Sequence, residues 1–344
     1  MIIIFIYKES FFYDYILQDD LHSIKEKIKD KQQNYYLKDI PKKGGKRYLS
    51  CIEKVSPLYA YQTSLKNKFL NNIPISENAY GFVKGRSYHD FLIPHTRGNS
   101  ERFFLRIDIK DFFDSITTDI LEETFKYYFK TDEKTSYEMV RLIIDIISLN
   151  DVLPQGAVTS PVVSNIVFRQ LDIRIQKYCS KLKVVYTRYA DDLLFSSVNN
   201  KLHEPFFIKM ISNILKTLNL NINFSKIKKS KEEISLNGFV VGQNIRISRK
   251  KKRDINRVIF IYKDKEPKTT SELLTLLNSQ IFTSRARKNS EYFSSKISLL
   301  NYLSGYRSFL ISWLPRSKQS VNYKSMKSFI KNLEELILNI LSLD

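Results

Sequence analysis

Tyr189-Ala190-Asp191-Asp192 lies between two apolar runs, Val184-Val185-Tyr186 and Leu193-Leu194-Phe195. Two apolar runs separated by a short polar segment predict a β-hairpin over 184–197 with the aspartates at its tip. Neighbouring carboxylates repel each other unless a cation lies between them. The hairpin therefore indicates a divalent-metal site, although acidic pairs in exposed turns are common without one.

A third candidate carboxylate, Asp108, ends the apolar run Phe103-Phe104-Leu105-Arg106-Ile107. This run predicts a buried strand, and a strand that ends in a carboxylate can present it to a metal. If the strand lies beside the hairpin, Asp108 and Asp191 could bind two Mg²⁺ ions for phosphoryl transfer, with Mn²⁺ as a substitute. The backbone carbonyl of Ile109 would add an oxygen ligand. On its own, Asp108 is more typical of an ordinary strand-end aspartate.

Charge and composition narrow the class of protein. The 344 residues include 56 Lys and Arg against 36 Asp and Glu, a net charge of +20, and 43% of the chain is apolar. Such a chain is expected to fold as a soluble globular protein with a sizeable core. The positive charge favours a polyanionic partner such as nucleic acid, although a Lys-rich genome would raise it as well.

No membrane or targeting segment is predicted. The apolar start, Met1 to Tyr7, is too short to span a bilayer and lacks a basic leader. Cys51 and Cys179 have no metal-ligand spacing and need not form a disulfide, which fits a reducing cytoplasm. The expected location is cytoplasmic, with no membrane partner.

The remaining patterns predict mixed strands and helices up to about residue 245 and a mostly helical part after it. The basic run Arg249-Lys250-Lys251-Lys252-Arg253 marks the boundary. The individual predictions are helices in the first forty residues, a hairpin with a flexible tip over 41–52, a strand over 103–109, a helix capped by Thr118, a helix over 139–147, a helix with Ser160 as its cap and Pro161 as its first residue, a helix over 204–218, short strands over 220–247 and an amphipathic end over 331–343.

A loop that contains proline, glutamine and glycine, Leu153-Pro154-Gln155-Gly156, precedes the helix predicted to begin near Ser160. It would bring backbone N–H groups and the Gln155 side chain toward a ligand or a template strand. From local physics alone, a well-capped helix start is the simpler explanation.

Taken in order, these segments resemble the palm motifs of bacterial reverse transcriptases, a family that includes retron and group II intron enzymes. So many motifs in a consistent order, between about residues 40 and 315, are far more specific than one short match. From the N-terminus the motifs are Ile40-Pro41-Lys42-Lys43 with Gly45 and Arg47; Gly81-Phe82-Val83 with Gly85-Arg86-Ser87; Ile107 to Ile116; Leu153 to Gly156 with Thr159-Ser160-Pro161; Arg188 to Asp192; Asn223-Phe224-Ser225-Lys226; Gly238-Phe239-Val240-Val241; and Leu299 to Gly305.

The resemblance implies an α+β, right-hand polymerase fold in which fingers and palm are followed by a helical thumb. Asp108, Asp191 and Asp192 would bind the two catalytic ions, with Asp192 the less direct ligand. The implied parts are an N-terminal helical segment and fingers over 1–100, the palm with part of the fingers over 101–247, and a helical thumb with a C-terminal tail over 248–344.

The resemblance also implies which residues bind the nucleotide. Lys43 and Arg47 would hold the triphosphate, with Lys42 as the competing choice for the lysine. Phe113 would lie beneath the sugar and exclude a 2′-hydroxyl, so that deoxynucleotides are selected. Gln155 would contact the templating base pair or the incoming nucleotide.

Further basic residues would act on the leaving group and on the nucleic acid. Lys226 could protonate the leaving pyrophosphate, or it could be a solvated charge in a Lys-rich run. A solvated surface is also the alternative explanation for the basic cluster at 249–253. In the family context, the phosphate backbone of an RNA–DNA duplex would be contacted by Arg86, Arg249, Lys250, Lys251, Lys252 and Arg253.

The sequence differs from the usual retron enzymes at two motifs, which weighs against a retron assignment. Retron enzymes usually carry Asn-Ala-x-x-His after the Gly-Arg-Ser block and Val-Thr-Gly before the last motif, both associated with the retron's own RNA. The matching stretches here are Phe91-Leu92-Ile93-Pro94-His95, which keeps only the histidine, and Leu236-Asn237-Gly238. The sequence also shows no maturase or endonuclease extension, which argues against a mobile intron.

The leading hypothesis is therefore a stand-alone RNA-directed DNA polymerase of antiphage defence. It would copy a cognate non-coding RNA into DNA from deoxynucleotides, as a homo-oligomer or with a second defence protein. The alternatives are a divergent retron enzyme that makes RNA-linked DNA, a nucleic-acid-binding scaffold, and non-templated or protein-primed synthesis. The intact acidic triad weighs against the scaffold.

Overall fold

The computed structural model describes residues 5–42, 45–96, 101–280, 293–314, 318 and 321–344. The strands are β1 Tyr35–Lys42, β2 Gly45–Ile52, β3 Phe103–Asp108, β4 Val185–Tyr189, β5 Asp192–Ser197, β6 Lys228–Lys231, β7 Ile234–Leu236, β8 Phe239–Val241 and β9 Ile245–Ile247. The helices are α1 Leu21–Ile28, α2 Pro57–Lys68, α3 Tyr88–Leu92, α4 Thr118–Phe125, α5 Glu133–Ile147, α6 Ser160–Lys181, α7 Pro205–Lys216, α8 Arg249–Lys265, α9 Thr270–Gln280, α10 Lys296–Ser312 and α11 Val321–Leu341, with a π-helix at Phe11–Leu17.

The chain divides into two compact units, Met1–Ile234 and Ser235–Asp344. In the first unit, β1 and β2 form an antiparallel hairpin of their own, and four further strands form a sheet in the order β4-β5-β3-β6, here called the central sheet. All neighbours in the central sheet are antiparallel. The division of the chain into parts at 100 and 247 stays a prediction.

The central sheet has two faces because side chains alternate along a strand and directly paired residues point to the same side. Arg188, Leu193 and Ile107 share the face that packs on α6, here called the α6 face. Asp108 and Asp192 are paired on the opposite face, here called the carboxylate face. Each fully buried Leu or Ile on the α6 face contributes about 1.5–3 kcal/mol to the driving force for folding.

The predicted hairpin and the strand before Asp108 are both confirmed. β4 and β5 pair through Tyr189 and Asp192, which leaves Ala190 and Asp191 as the turn. β3 lies beside β5 in the sheet. Every residue of β5 is buried, which explains its continuous apolar run.

The helices predicted after residue 100 are present: α4, α6 and α7 begin within about one residue of the prediction, whereas α5 begins at Glu133, six residues before the predicted Met139. Thr117, rather than Thr118, is the residue before α4, and Thr159, rather than Ser160, precedes α6. Ser160 is no cap because its hydroxyl donates to the carbonyl of Pro154 at 2.7 Å. It therefore ties the preceding loop to the helix.

The helical prediction for the first forty residues is wrong at its end. Residues from Tyr35 onward form β1, whose partner β2 follows across the tip of the hairpin. The aromatic and apolar residues at 35–40 suit a strand as well as a helix, and pairing with β2 decides between the two. The hairpin is therefore longer than the predicted 41–52.

The second unit, which begins at Ser235, holds the four helices α8 to α11 and all of the small sheet β7-β8-β9 except Ile234. The run at 249–253 forms the start of α8, because Ser248 caps this helix by accepting from the backbone N–H of Lys251. The predicted amphipathic end at 331–343 belongs to α11 up to Leu341, where the helix ends. Among the described residues, no helix combines the length and apolar character that a membrane-spanning segment needs.

Candidate active site

The three predicted carboxylates lie at one end of the central sheet. Asp108 at the end of β3 is directly opposite Asp192 at the start of β5. The backbone N–H of Ile109 donates to the carbonyl of Asp191 at 3.0 Å, which joins the turn to the strand end. The sequence-distant Asp108 is thus brought beside the acidic pair.

The turn that carries Asp191 is held from behind. Ala190 has a φ of 55°, in the left-handed region, which costs energy for a residue other than glycine. Arg188 supports this conformation because its Nη1 donates to the carbonyl of Ala190 at 3.1 Å. Gly81 lies so close that an added Cβ would come within 2.5 Å of the backbone nitrogen of Ala190, which explains why a glycine is needed there.

Arg188 belongs to a fully buried polar network on the α6 face. Its guanidinium pairs with Asp172 of α6 at 2.9 Å and donates to Oδ1 of Asn165 at 3.1 Å. Asn165 in turn donates to the carbonyl of Gly81 at 2.9 Å, and Tyr186 donates to Asp172 at 2.7 Å. The network therefore links the acidic turn, the Gly81 loop and α6 into one rigid support.

Two basic side chains neutralise two of the carboxylates. Arg106 donates from Nε to Oδ1 of Asp192 at 2.8 Å, and its Nη2 lies 3.9 Å from Oδ2 of Asp108. Lys226 donates to Oδ1 of Asp108 at 2.8 Å. Among the described residues, no side chain forms an ion pair with Asp191.

The electrostatics of the acidic pair are those of a site that favours a cation. Burial, the nearby Asp191 and Asp108 raise the pKa of Asp192 to about 6, although Arg106 acts in the opposite direction. Burial also raises the pKa of Asp191, as does Asp108. A divalent cation would relieve both effects.

The donor chemistry of the three carboxylates suits Mg²⁺ or Mn²⁺, which prefer oxygen ligands. Within the described part of the chain, however, no three His, Cys, Asp or Glu side chains already converge as a metal centre. Asp192 pairs instead with Arg106, and Asp108 with Lys226. The metal ligation by the three aspartates and by Ile109 stays a prediction.

The predicted triphosphate site lies only partly within the described residues. Lys43 lies outside them, as does the side chain of Lys42. Arg47 on β2 is exposed, and its charge lowers the pKa of Asp191, so it is near the acidic turn. This proximity is what the predicted role of Arg47 requires.

The Gln155 loop contacts the β1–β2 hairpin. The backbone N–H of Ser50 donates to the carbonyl of Gln155 at 2.8 Å. Gly156 has a φ of 122°, and a Cβ there would lie 2.9 Å from the carbonyl oxygen of Ser50. The glycine therefore permits the close approach that places Gln155 beside the hairpin.

Phe113 is partly buried beyond the end of β3. Its ring lies 5.3 Å from that of Phe112 and 6.2 Å from that of Phe82, measured between centroids. Phe112 is buried in the core, whereas Phe82 is 47% exposed. Phe113 thus has a packed side and an open side, and its role as a sugar gate stays a prediction.

Arg86 is engaged inside its own loop. Its Nη1 donates to the carbonyls of Glu77 and Ala79, both at 2.6 Å, and its guanidinium lies over the ring of Tyr80. The structure therefore gives Arg86 a part in shaping the loop, and a contact with nucleic acid stays a prediction.

His95 is the only residue of the retron Asn-Ala-x-x-His element that this chain keeps, and it is fully buried. Its Nε2 and Nδ1 lie 2.8 Å from the hydroxyls of Thr187 and Ser196. Because the Thr187 hydroxyl already donates to the carbonyl of Phe91, we assign the proton to Nε2 of a neutral imidazole. His95 therefore anchors the segment after α3 to the carboxylate face and is not accessible to RNA.

The basic run at 249–253 separates onto two sides of α8. Lys251 packs inward in the second unit, with Nζ 3.7 Å from the ring centroid of Phe309. The side chain of Lys250 is not among those described. The opposite side of the helix forms an open groove, here called the α8 groove, lined by Arg249, Lys252, Arg253, Asn256, Arg257 and Phe260. Spacings of three and four residues place these six side chains on one side of the helix.

The sequence analysis missed the contacts of Arg106 with the carboxylates and those of the Arg188–Asp172–Asn165 network behind the turn. Arg106 is the one charged residue in the run 103–107 and precedes Asp108 by two positions, so strand alternation puts both on one face. Asn165 and Asp172 are polar residues seven apart on a helix whose neighbours are apolar. Both patterns could have indicated these contacts from the sequence.

Comparison with known proteins defines the family. The model of the family described as reverse transcriptase (RNA-dependent DNA polymerase) matches residues 40–241, more than half of the chain. The chain belongs to the reverse transcriptase family. The predicted family and the predicted α+β, right-hand polymerase fold are confirmed by this match.

Among reverse transcriptases, the retron enzymes of Escherichia coli are similar to this chain. The retron Ec73 reverse transcriptase is 33% identical over 196 residues, which cover 54% of this chain and 61% of that protein. The retron Ec86 reverse transcriptase is 30% identical over 233 residues, which cover 65% and 69%. The chain thus spans less than two thirds of the first of these relatives. A solved structure, apo telomerase from Candida Tropicalis, aligns with a TM-score of 0.49 at 11% identity over 90% of this chain and 56% of that chain.

Proposed function

We propose that this reverse transcriptase is an RNA-directed DNA polymerase that uses two divalent cations. The single observation that carries the proposal is the arrangement of Asp108, Asp191 and Asp192 at one end of the central sheet, beside Lys226 and Arg47. Asp108, Asp191 and Asp192 would hold the cations, with Mn²⁺ able to replace Mg²⁺. When bound, the cations would lower the pKa of the primer hydroxyl and neutralise the triphosphate.

The chain's own residues would orient the reactants. In the reaction, the primer 3′-oxygen forms a bond to the α-phosphorus, the bond between that phosphorus and the β-phosphate oxygen breaks, and pyrophosphate leaves. Arg47 and Lys43 would hold the triphosphate. Phe113 would contact the sugar, and Gln155 would contact the templating base pair. Lys226 would donate a proton to the pyrophosphate after it separates from Asp108.

In the second unit, the α8 groove would bind the phosphate backbone of nucleic acid. Its guanidinium and ammonium groups suit a phosphate backbone, and Phe260, 58% exposed, offers an aromatic surface for a base or sugar. We propose this surface in place of the continuous run 249–253, because Lys251 packs inward.

For the biological role we propose the copying of a cognate non-coding RNA in antiphage defence, in the cytoplasm. A second candidate is a retron enzyme that makes RNA-linked DNA, favoured by the similarity to the retron Ec73 and Ec86 reverse transcriptases. The loss of the Asn-Ala-x-x element is the argument against it. His95 does not discriminate between the two, because its role is structural.

The test is primer extension on an RNA template with Mg²⁺, comparing wild type with Asp191→Asn. Loss of several kcal/mol of charge stabilisation predicts a fall in rate of at least about 10³-fold. Asp119→Asn, an exposed carboxylate on α4, is the matched control and is expected to be fully active. Extension that persists in Asp191→Asn would show that the site is assigned wrongly.

Sequencing of the nucleic acid that co-purifies with wild type and with Asp191→Asn/Asp192→Asn would separate the biological roles. DNA joined to a structured RNA in the wild type alone would support the retron role. Free DNA in the wild type alone would support the defence polymerase. RNA alone in both samples, with no extension by wild type in vitro, would support a binding scaffold instead.

A further inference from the structure

Arg106 lies on the carboxylate face, two residues before Asp108, and points to the same side of β3. Its Nε donates to Oδ1 of Asp192 at 2.8 Å, and its Nη2 lies 2.5 Å from the same oxygen. The Nη2 also lies 3.9 Å from Oδ2 of Asp108. One guanidinium thus faces two of the three carboxylates.

We propose that Arg106 is a positioning residue that serves as a resident cation for the polymerase site. It fixes the carboxylate of Asp192 by one oxygen and keeps Asp192 and Asp108 together before any divalent ion binds. This proposal rests on the proposed polymerase function and adds a division of labour among the aspartates.

The pairing pattern supports this division. Both contacts of Arg106 reach Oδ1 of Asp192, so Oδ2 of that residue is not engaged by the guanidinium. Asp191 has no ion-pair partner among the described side chains. Asp191 is therefore the carboxylate most available to an incoming cation, and Asp192 is the one whose direction is set by the protein.

An arginine suits this task better than a lysine. A planar guanidinium directs two N–H groups to one carboxylate, whereas an ammonium acts as a point charge on a flexible stem. Arg106 is itself held on β3, which lies between β5 and β6, and its side chain is only 24% exposed. The group is thus rigid enough to fix the orientation of Asp192.

The kinetic test is a double-substitution cycle on the full chain. Arg106→Met is expected to lower kcat by roughly tenfold or more, as loss of a partner of a metal-ligating group typically does. The KM for deoxynucleotide should change by less than about threefold, because Arg106 is not proposed to touch the nucleotide. Arg106→Lys should recover part of the loss.

The same cycle identifies the residue through which Arg106 acts. In an Asp192→Asn background, Arg106→Met should lower kcat by less than about a further threefold, because the partner of Arg106 is already neutral. A full tenfold loss in that background, or full activity of Arg106→Met, would overturn the proposal. Because Arg106→Lys keeps the charge, it keeps the test usable if Arg106→Met does not fold.

A second readout does not need polymerase activity. Melting temperatures are measured without nucleic acid, with and without Mn²⁺. Without cation, Arg106→Met should melt lower than wild type, and Mn²⁺ should raise its melting temperature more than that of wild type, since the added ion replaces the lost charge. An equal Mn²⁺ shift in both proteins would overturn the resident-cation role. If wild type fails to extend primers but this difference appears, the proposed polymerase function fails, and the role of Arg106 in balancing the charge of Asp192 and Asp108 stands alone.

Discussion

The pair of Arg188 with Asp172 on one face of the central sheet and the pair of Arg106 with Asp192 on the other differ in burial. On the α6 face, the side chains of Arg188 and Asp172 are both 0% exposed. On the carboxylate face, those of Arg106 and Asp192 are 24% and 11% exposed. We call the fully buried pair of Arg188 and Asp172 the closed pair, and the partly exposed pair of Arg106 and Asp192 the open pair.

The difference shows what burial does to an ion pair. Arg188 has further partners in Asn165 and the carbonyl of Ala190, so the desolvation cost of the closed pair is offset by hydrogen bonds. In the open pair, burial raises the pKa of Asp192, and so do the charges of Asp191 and Asp108 beside it. The closed pair supports the turn, and the open pair leaves its carboxylate able to respond to ions.

The largest expected effect is on the closed pair. Arg188→Met should lower the free energy of unfolding by about 3–5 kcal/mol, because Asp172 would remain buried without its counter-charge. Arg188→Met/Asp172→Leu should recover a large part of that loss. Chemical denaturation checks both values.

The matched control for Arg188 is Arg174→Met, an arginine of α6 that donates to the hydroxyl of Thr217 at 2.8 Å in an exposed position. Its effect should stay below about 1 kcal/mol. If Arg188→Met costs no more than this control, the comparison between closed and open pairs fails.

A smaller effect concerns His95 at the far end of the carboxylate face. Burial, with the charge of Arg102, lowers its pKa from 6.5 to about 3. Above pH 6.5 the imidazole is neutral in both states and its contribution is complete. As the pH falls below 6.5, the unfolded chain binds a proton that the fold excludes, so stability falls until about pH 3.

The expected loss from His95 is about 2 kcal/mol between pH 6.5 and pH 5, since each unit corresponds to about 1.4 kcal/mol. His95→Gln cannot take up this proton, so its unfolding free energy should fall less over the same interval. Denaturation curves at several pH values measure the difference. Parallel pH profiles for the two proteins would show that His95 is not buried as a neutral group.

The sequence predicted those parts of the site that depend on local pattern. The apolar runs around Asp191 and Asp192 predicted the hairpin, and the run before Asp108 predicted its strand. The arginine partners were not predicted, because no local rule states that Arg188 meets Asp172 or that Arg106 meets Asp192. Those pairs depend on the order of strands in the sheet and on the docking of α6, which are long-range properties.

The misassigned strand β1 has the same cause. Tyr35 to Ile40 suit either a helix or a strand, and the choice depends on pairing with β2. The basic run at 249–253 was predicted as one nucleic-acid-binding surface. In the helix α8, Lys251 lies on the inner side, whereas Arg249, Lys252 and Arg253 line the groove on the other side.

The smallest expected effect tests whether the open end of the sheet selects the substrate. Phe113→Ala should raise incorporation of ribonucleotides relative to deoxynucleotides by roughly tenfold, about 1.4 kcal/mol, because the ring would no longer fill the space of a 2′-hydroxyl. Competition between the two nucleotide types in primer extension measures the ratio. Phe82→Ala is the matched control, since its ring lies 6.2 Å from that of Phe113 and is 47% exposed. A ratio that shifts equally in both variants would assign selection to the packing of the loop, and a shift confined to Phe113→Ala would assign it to the Phe113 ring.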